Sequence, residues 1–225
     1  LQKTESLRGK TIMITAGPTR EPLDPVRFLS SRSSGKMGYE LTAEALRRGA
    51  NVILVSGPTS LFPPCGADVR RVETAAEMAR EVKKGFPRAD AVIMAAAVAD
   101  FRPAAVAGQK IKKKQAPETI KLVPTEDILA ALSREEGRSK KVVVGFAAET
   151  EDIAANARRK LREKKLDLIV ANDVRGEDSG FDSEFNRVVI IDRKGAAVES
   201  ERQTKRAISR LILDRLEVLL GKKKE

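Results

Sequence analysis

Apolar and polar positions along the chain follow two alternating periods. Thr11–Thr15 (TIMIT) is a short β-branched run that predicts a strand, ended by Gly17-Pro18. Gly38–Arg48 carries Leu41, Ala45 and Leu46 at helical spacing, and Gly49 stops the predicted helix. Asn51–Val55 predicts a second strand, closed by Gly57-Pro58. Thr74–Lys84 predicts a helix with Thr74 as N-cap and Glu77 three residues on, a capping box. Ala91–Val98 is a continuous apolar run, as expected of a strand buried on both faces. From Phe101 to Pro124 no period holds, which predicts a long loop with a short strand at Thr119–Leu122. Beyond it the pattern predicts a helix over Thr125–Arg134, a strand over Val142–Phe146, a basic amphipathic helix over Asp152–Lys165 and a strand over Leu166–Ala171. Arg187–Asp192 and Ala196–Ser200 flank Arg193-Lys194-Gly195 as a β-hairpin, and Thr204–Leu220 predicts the last helix.

Strands alternating with helices predict an α/β fold: a Rossmann-like parallel sheet with helices on both faces. The hairpin over residues 187–200 departs from that plan. It is expected either as an antiparallel edge or as an arm used in dimerisation. No internal repeat or linker divides the chain, so residues 1–225 are expected to form a single domain. Residues 1–8 are expected to be a leader or linker, and residues 221–225 a flexible tail. Leu1 stands where an initiator Met would, which fits a domain of a longer polypeptide.

Composition narrows the chemistry. The 225 residues suffice for about one or two domains. No apolar run approaches the ~20 residues of a membrane span, and the start lacks the pattern of a secretion signal. A cytoplasmic protein with no membrane partner is therefore expected. One cysteine, Cys65, excludes an intrachain disulfide and a multi-cysteine zinc site. With no histidine, catalytic triads and histidine metal sites are excluded, and proton chemistry falls to carboxylates, lysines, substrate or water. Lys and Arg number 43 against 32 Asp and Glu, a net charge of +11, which points to an anionic partner. Aromatic residues are only 4% of the chain. Single-strand binders stack bases on aromatic platforms, so a phosphorylated small molecule is favoured over nucleic acid.

In an open parallel sheet, ligands bind beyond the carboxyl ends of the strands. After the first predicted strand comes a connection of about twenty residues, far longer than the usual ~2–6. Its second half, Ser33-Ser34-Gly35-Lys36-Met37-Gly38, combines hydroxyls, glycines and a lysine at a helix N-terminus. Such a segment is either an anion cradle or a plain glycine-rich N-cap. It matches neither the Walker A pattern, because Met37 follows Lys36, nor GxGxxG. The absence of GxGxxG weighs against the alternative of an NAD(P)-binding oxidoreductase. Beyond the third strand, small residues let a flat ligand approach the backbone. There Asp100 can hold a ribose hydroxyl, a base amine or a metal, or simply cap a turn. Lys110-Ile111-Lys112-Lys113-Lys114 is either a solvated face or the charge of a closing segment. Phe146 can stack on a base or fill core. Lys160 and Lys164 share a helix face and can meet a triphosphate or pair with Glu163 or Glu151. Asn172-Asp173 ends the fifth strand.

The motifs ITAGPTREPLDPVRFLS-x-x-SSGKMG, AAAVADF, KIKKK, VGFAAET and LIVANDV, in that order, closely resemble the phosphopantothenate–cysteine ligase family of bacterial coenzyme A biosynthesis. The resemblance spans about Gly9 to Leu216. It implies a fused N-terminal flavin-dependent decarboxylase in many relatives, a homodimer, and a CTP-dependent reaction with Mg²⁺ held mainly by the nucleotide phosphates. The carboxylate of 4′-phosphopantothenate attacks the α-phosphate of CTP, giving an acyl-cytidylate and pyrophosphate. The amine of cysteine then displaces CMP and forms the amide. The resemblance implies that Ser33, Ser34, Gly35, Lys36, Met37 and Gly38 grip the triphosphate. It puts Met94, Ala95 and Ala96 against the cytosine, and Asp100 against the nucleotide. Lys110 is implied to neutralise charge during acyl transfer. Glu126, Asp127, Ile128 and Leu129 match loosely a nucleotide-contacting segment that often reads NPDI, here TEDI. Phe146, Lys160 and Lys164 complete that site. Arg27, Ser31 and Asn172 are implied to meet the substrate. Relatives usually carry Asn where this chain has Ser31, in a loop tied to handling of the acyl-cytidylate.

Overall fold

The computed structural model of the chain describes residues 5–115, 118–149, 152–173 and 183–222. In chain order the first strands are β1 (Thr11–Ala16), β2 (Arg20–Pro22), β3 (Phe28–Ser30), β4 (Asn51–Ser56), β5 (Asp68–Arg71), β6 (Ala91–Met94), β7 (Phe101–Pro103) and β8 (Leu122–Pro124). They are followed by β9 (Val142–Glu149), β10 (Leu168–Asp173), β11 (Phe185–Asn186), β12 (Val188–Asp192), β13 (Ala197–Glu199) and β14 (Gln203–Thr204). The helices are α1 (Lys36–Arg47), α2 (Ala75–Gly85), α3 (Ile128–Leu132), α4 (Ile153–Glu163) and α5 (Lys205–Lys222).

One sheet runs in the order β13-β12-β10-β9-β6-β1-β4-β5. The six strands from β10 to β5 are parallel, and β12 and β13 add to β10 as an antiparallel edge. Side chains alternate across the sheet, so each central strand feeds two cores. Ile12 and Ile14 meet Leu41 of α1 and Ile208 and Ile212 of α5 on one face. Met13 and Val92 meet Met78 and Val82 of α2 and Leu161 of α4 on the other. Burial of each such side chain stabilises by about 1.5–3 kcal/mol. Helices on both faces of a mostly parallel sheet are the α/β fold that the alternation predicts.

A buried ionic network ties α1 to α5. Glu44 accepts from Arg47 and Arg48, and Arg48 reaches Asp214 and Glu217 at 2.8 and 2.9 Å. Burial pushes the Glu44 carboxyl up, but the two guanidiniums outweigh it and hold the group below the usual carboxylate range. The capping box on α2 is present as predicted: Thr74 accepts from the Glu77 N–H, and Glu77 reaches back.

Several elements differ from the pattern-based expectation. The Ala91–Val98 run is strand only to Met94, because β1 carries β4 and β6 on opposite sides and the chain leaves the sheet at that divergence. The Thr125–Arg134 helix shrinks to Ile128–Leu132, started by Asp127, whose side chain accepts from the Ala130 N–H. The short strand expected at Thr119–Leu122 lies at Leu122–Pro124 and pairs with Phe101–Pro103, so the long loop is closed at its base by a ribbon. The connection after β1 contains a second ribbon, β2–β3, which its short polar sequence hides. The hairpin of residues 187–200 is pinned to β10 rather than projecting from the sheet. Of the expected leader and tail, residues 1–4 and 223–225 lie outside the described residues, as do Thr150 and Glu151. No helix among the described residues is long and apolar enough to cross a membrane.

Candidate functional site

The strand order reverses at β1. From β1 the chain goes to β4 and β5 on one side, then returns to β6 on the other. The loops after β1 and β6 therefore part and leave a crevice at the carboxyl end of the sheet. A cavity of about 540 Å³ occupies it.

Its first wall is the start of α1. Gly35 takes a left-handed backbone conformation (φ 81°) as N-cap, and Lys36, Met37 and Gly38 begin the helix. A Cβ on Gly38 would lie 2.5 Å from Ala16 Cβ and 2.9 Å from the Thr15 carbonyl oxygen. Only glycine lets the helix N-terminus come so close to the end of β1, and that closeness aims its open N–H groups at the crevice. The second wall is the backbone of residues 95–100. Thr15 Oγ1 accepts from the Ala96 N–H at 3.0 Å, Thr19 Oγ1 from the Ala99 N–H at 3.0 Å, and the Gly17 carbonyl from the Ala97 N–H at 2.9 Å. The Thr125 hydroxyl donates to the Ala99 carbonyl at 2.5 Å. A run of small residues is thus held out of the sheet by side chains of β1 and its loop, along the wall of the cavity.

The third wall is charged. Lys36, Lys160, Lys164 and Lys205 all line the cavity. Lys36 and Lys205 are the first residues of α1 and α5, the end of a helix where a cation is disfavoured by the dipole. Placing two lysines there is coherent if the cavity takes an anion. Lys36 meets Glu184 at 2.5 Å, and this contact with Lys36 holds the Glu184 carboxyl below its usual range. Lys164 meets Asp127 at 2.9 Å, and Glu151 lies outside the described residues. Burial raises the Asp127 carboxyl, but the Ala130 N–H and Lys164 lower it further. Glu126, at the rim, pairs with Lys83.

The residues expected at a nucleotide site converge closely. Ser33, Gly35, Lys36, Met37, Gly38, Met94, Ala95, Ala96, Asp100, Glu126, Asp127, Ile128, Leu129, Phe146, Lys160, Lys164 and Asn172 line this one cavity. Phe146 lines the cavity and also packs against the core cluster, which is one of its two expected roles. Asn172 Oδ1 is buried without a hydrogen-bond partner among the described residues. Four residues fall outside the lining. The Ser34 carbonyl accepts from Thr59 Oγ1 at 2.9 Å. Ser31 is exposed, with its hydroxyl 3.4 Å from the Ser33 N–H. Arg27 is occupied by Asp24 and the Ile111 carbonyl. Lys110 is exposed. Sequence reasoning missed Asn186 and Lys205, which line the cavity while 2% and 5% exposed. Thr204 accepting from the Ala207 N–H marks the start of α5, and a lysine directly after such a cap was the available signal. Among the described residues no group of three His, Cys, Asp or Glu side chains could hold a metal.

The family model described as DNA/pantothenate metabolism flavoprotein C-terminal domain matches residues 7–219. The chain is 46% identical over 214 residues to the coenzyme A biosynthesis bifunctional protein CoaBC of Bacillus subtilis (strain 168), covering 95% of this chain and 52% of that protein. It is 45% identical over 217 residues to the protein of the same name from Vibrio vulnificus (strain YJ016), covering 96% of this chain and 54% of that one. The chain thus spans about half the length of these curated relatives. Among solved structures, the crystal structure of the C-terminal domain of CoaBC matches with a TM-score of 0.83 at 41% identity, over 97% of this chain and 100% of that one.

Proposed function

This chain belongs to the family of the DNA/pantothenate metabolism flavoprotein C-terminal domain, and from that premise we propose that it ligates 4′-phosphopantothenate to cysteine at the expense of CTP. One observation carries the reading. A glycine-opened helix N-terminus, a run of half-buried small residues over 95–99 and four lysines surround one cavity at the switch point of the sheet. That is a site for a triphosphate with a planar base.

The chemistry needs positioning and charge neutralisation more than a base. A carboxylate oxygen of 4′-phosphopantothenate bonds to the α-phosphorus of CTP, and the α–β bridging oxygen departs with pyrophosphate. Lys36, Lys160, Lys164 and the α1 N–H groups offset charge on the triphosphate, and Lys110 neutralises charge during this transfer. The cysteine amine then attacks the acyl carbon, CMP leaves with the electron pair of the acyl–oxygen bond, and the amine proton passes to solvent. Met94, Ala95 and Ala96 meet the cytosine through backbone atoms, Asp100 the nucleotide, and Arg27, Ser31 and Asn172 the substrate. Mg²⁺ would be held mainly by the nucleotide phosphates and would offset part of their charge. The family and the fused relatives support a decarboxylase as the companion domain, with the ligation acting in a cytoplasmic route to coenzyme A. Residues 1–225 act as one ligase domain in this reading. A homodimer through Arg187–Ser200 is part of it, since among the described residues β13 is an edge strand of the main sheet. Light scattering that returns only the 24.6 kDa protomer at micromolar concentration overturns the dimer.

The deciding experiment is pyrophosphate release from CTP with 4′-phosphopantothenate, with and without cysteine. Release that needs both CTP and the acid, with amide formed only when cysteine is present, is expected. No release under any of these conditions removes the ligase reading.

A further inference from the structure

The tip of the β2–β3 ribbon holds a carboxylate that the proposed reaction does not use. Asp24 is 2% exposed. One of its oxygens accepts from the N–H groups of Val26 and Arg27, each at 2.8 Å. The other accepts from the Arg27 guanidinium at 3.0 Å and from the Ile111 N–H, 87 residues away in sequence, at 3.1 Å. The same Arg27 nitrogen donates to the Ile111 carbonyl at 3.1 Å. Four residues upstream, the Ala107 N–H donates to the Leu23 carbonyl at 3.0 Å.

These bonds bracket residues 108–110, and Lys110, next to the Ile111 tether, is the only lysine among them. The Ala107 tether precedes Lys110, and both backbone groups of Ile111 follow it. Lys112, Lys113 and Lys114 lie past the last tether and are exposed. Lys110 is also exposed, but its backbone is bracketed by the ribbon. A buried carboxylate with four donors is costly to create and rigid once satisfied. Its cost is coherent if the geometry of the bracketed residue matters.

We propose that Asp24 is a positioning residue: through Arg27 and Ile111 it fixes the backbone at Lys110 and so sets where that ammonium meets the charge that develops during acyl transfer. This rests on the reading of Lys110 given above. It also says why the first lysine of the run, and not one of the following three, has that role. Asn is the informative replacement. Its Oδ1 still accepts from Val26 and Arg27, but its Nδ2 can neither accept from the Ile111 N–H nor pair with the guanidinium.

The test uses Asp24→Asn, Lys110→Gln and the double variant, read in two ways. The first is the rate of trypsin cleavage after Lys110 in the folded protein. It is expected to rise about tenfold in Asp24→Asn, because local opening becomes easier. Arg27→Gln, at a half-exposed side chain, gives the same readout should Asp24→Asn not fold. The second is steady-state pyrophosphate release. In Asp24→Asn, kcat is expected to fall at least about tenfold with KM for CTP within about twofold, and the double variant is expected to be no slower than Lys110→Gln alone, as for residues acting as a unit. Unchanged trypsin cleavage in both clamp variants overturns the proposal, as does an Asp24→Asn loss that multiplies with that of Lys110→Gln. A wild-type rate in Lys110→Gln is a different failure. It removes the role of Lys110, and with it any catalytic role for Asp24, while faster cleavage in Asp24→Asn still registers the clamp.

Discussion

The two ends of the central sheet handle charge in opposite ways. At the amino end, an aspartate stands just before β6 and another just before β10. Each accepts an N–H at or next to the start of the neighbouring strand: Asp90 from Thr11 at 2.9 Å and Asp167 from Val143 at 2.9 Å. Each is also met by cations, Asp90 by Lys10 at 2.9 Å, and Asp167 by Arg138 and Arg193 at 2.9 and 3.3 Å. These carboxylates staple β1 to β6 and β9 to β10. At the carboxyl end the chain puts lysines at the starts of two helices and leaves Asn172 Oδ1 buried without a partner among the described residues. The first arrangement lowers the free energy of the empty fold. The second gathers positive charge at two helix N-termini around a cavity and leaves the Asn172 acceptor open among the described residues, which is the signature of a binding end. Each prediction below asks whether a residue belongs to the end its position assigns.

The largest effect is expected at Asp167. Asp167→Ala leaves the Val143 N–H and the largely buried Arg138 guanidinium without their carboxylate, at a side chain that is 1% exposed, while Arg193, 58% exposed, can turn to water. Removing one partner of a buried pair costs about 3–5 kcal/mol, read as a shift of the urea midpoint. Pyrophosphate release per folded molecule is expected to stay at the wild-type rate. A fall in rate without loss of stability would erase the division between the two ends.

Lys36→Gln is the counterpart. Its partner Glu184 is 71% exposed in its side chain, so the empty protein is expected to lose less than about 0.5 kcal/mol. Loss of a preorganised charge contact is expected to slow pyrophosphate release about a hundredfold, equivalent to ~3 kcal/mol. A destabilised protein with a normal rate would place Lys36 among the structural charges instead.

Much of this contrast is legible in the sequence, and its limits are physical. Thr74 and Glu77 announce a helix start because capping is local chemistry, and it is found as read. Ser33–Gly38 reads as an anion cradle for the same reason, since the glycines and lysine lie within one turn. The Ala91–Val98 run misleads because apolarity cannot say where a strand leaves the sheet. Its last four residues are small and apolar to line a crevice, and the neighbours that pull them out, Thr15 and Thr19, lie some eighty positions earlier. Lys205 is invisible as a site residue because it reaches the cavity only after the β12–β13 hairpin returns the chain. Asp24 is not singled out by the sequence, because nothing local tells that its second oxygen serves Ile111.

Asn172 sharpens the comparison further. Asn172→Ala removes an acceptor that bonds to nothing described, so the empty protein is expected to change by no more than about 0.5 kcal/mol. If the pocket's ligand completes this group, its affinity should fall about five- to a hundredfold, ~1–3 kcal/mol. Calorimetric titration with CTP and, separately, with 4′-phosphopantothenate says which ligand it serves. Unchanged affinity for both would return Asn172 to the structural side.

The smallest effect is expected from acid at the amino end. Burial raises the Asp90 carboxyl, but the Thr11 N–H and Lys10, with Lys141 nearby, outweigh it and hold the group below its usual range. A carboxyl lowered on folding stabilises the protein above its unfolded value of about 3.9, and that contribution is lost as pH falls through the folded value. The carboxyl is about one-third exposed, so solvent screens the pair and the contribution is at most about 1 kcal/mol. The wild type should therefore lose more stability than Asp90→Asn as pH falls from about 5 through the folded-state value below 3.9, with the two curves converging at the acid end. Urea midpoints of both proteins across that range give the difference directly. Parallel curves would mean that Asp90 holds β1 to β6 through its hydrogen bond to Thr11 alone, and that the charge on it contributes nothing.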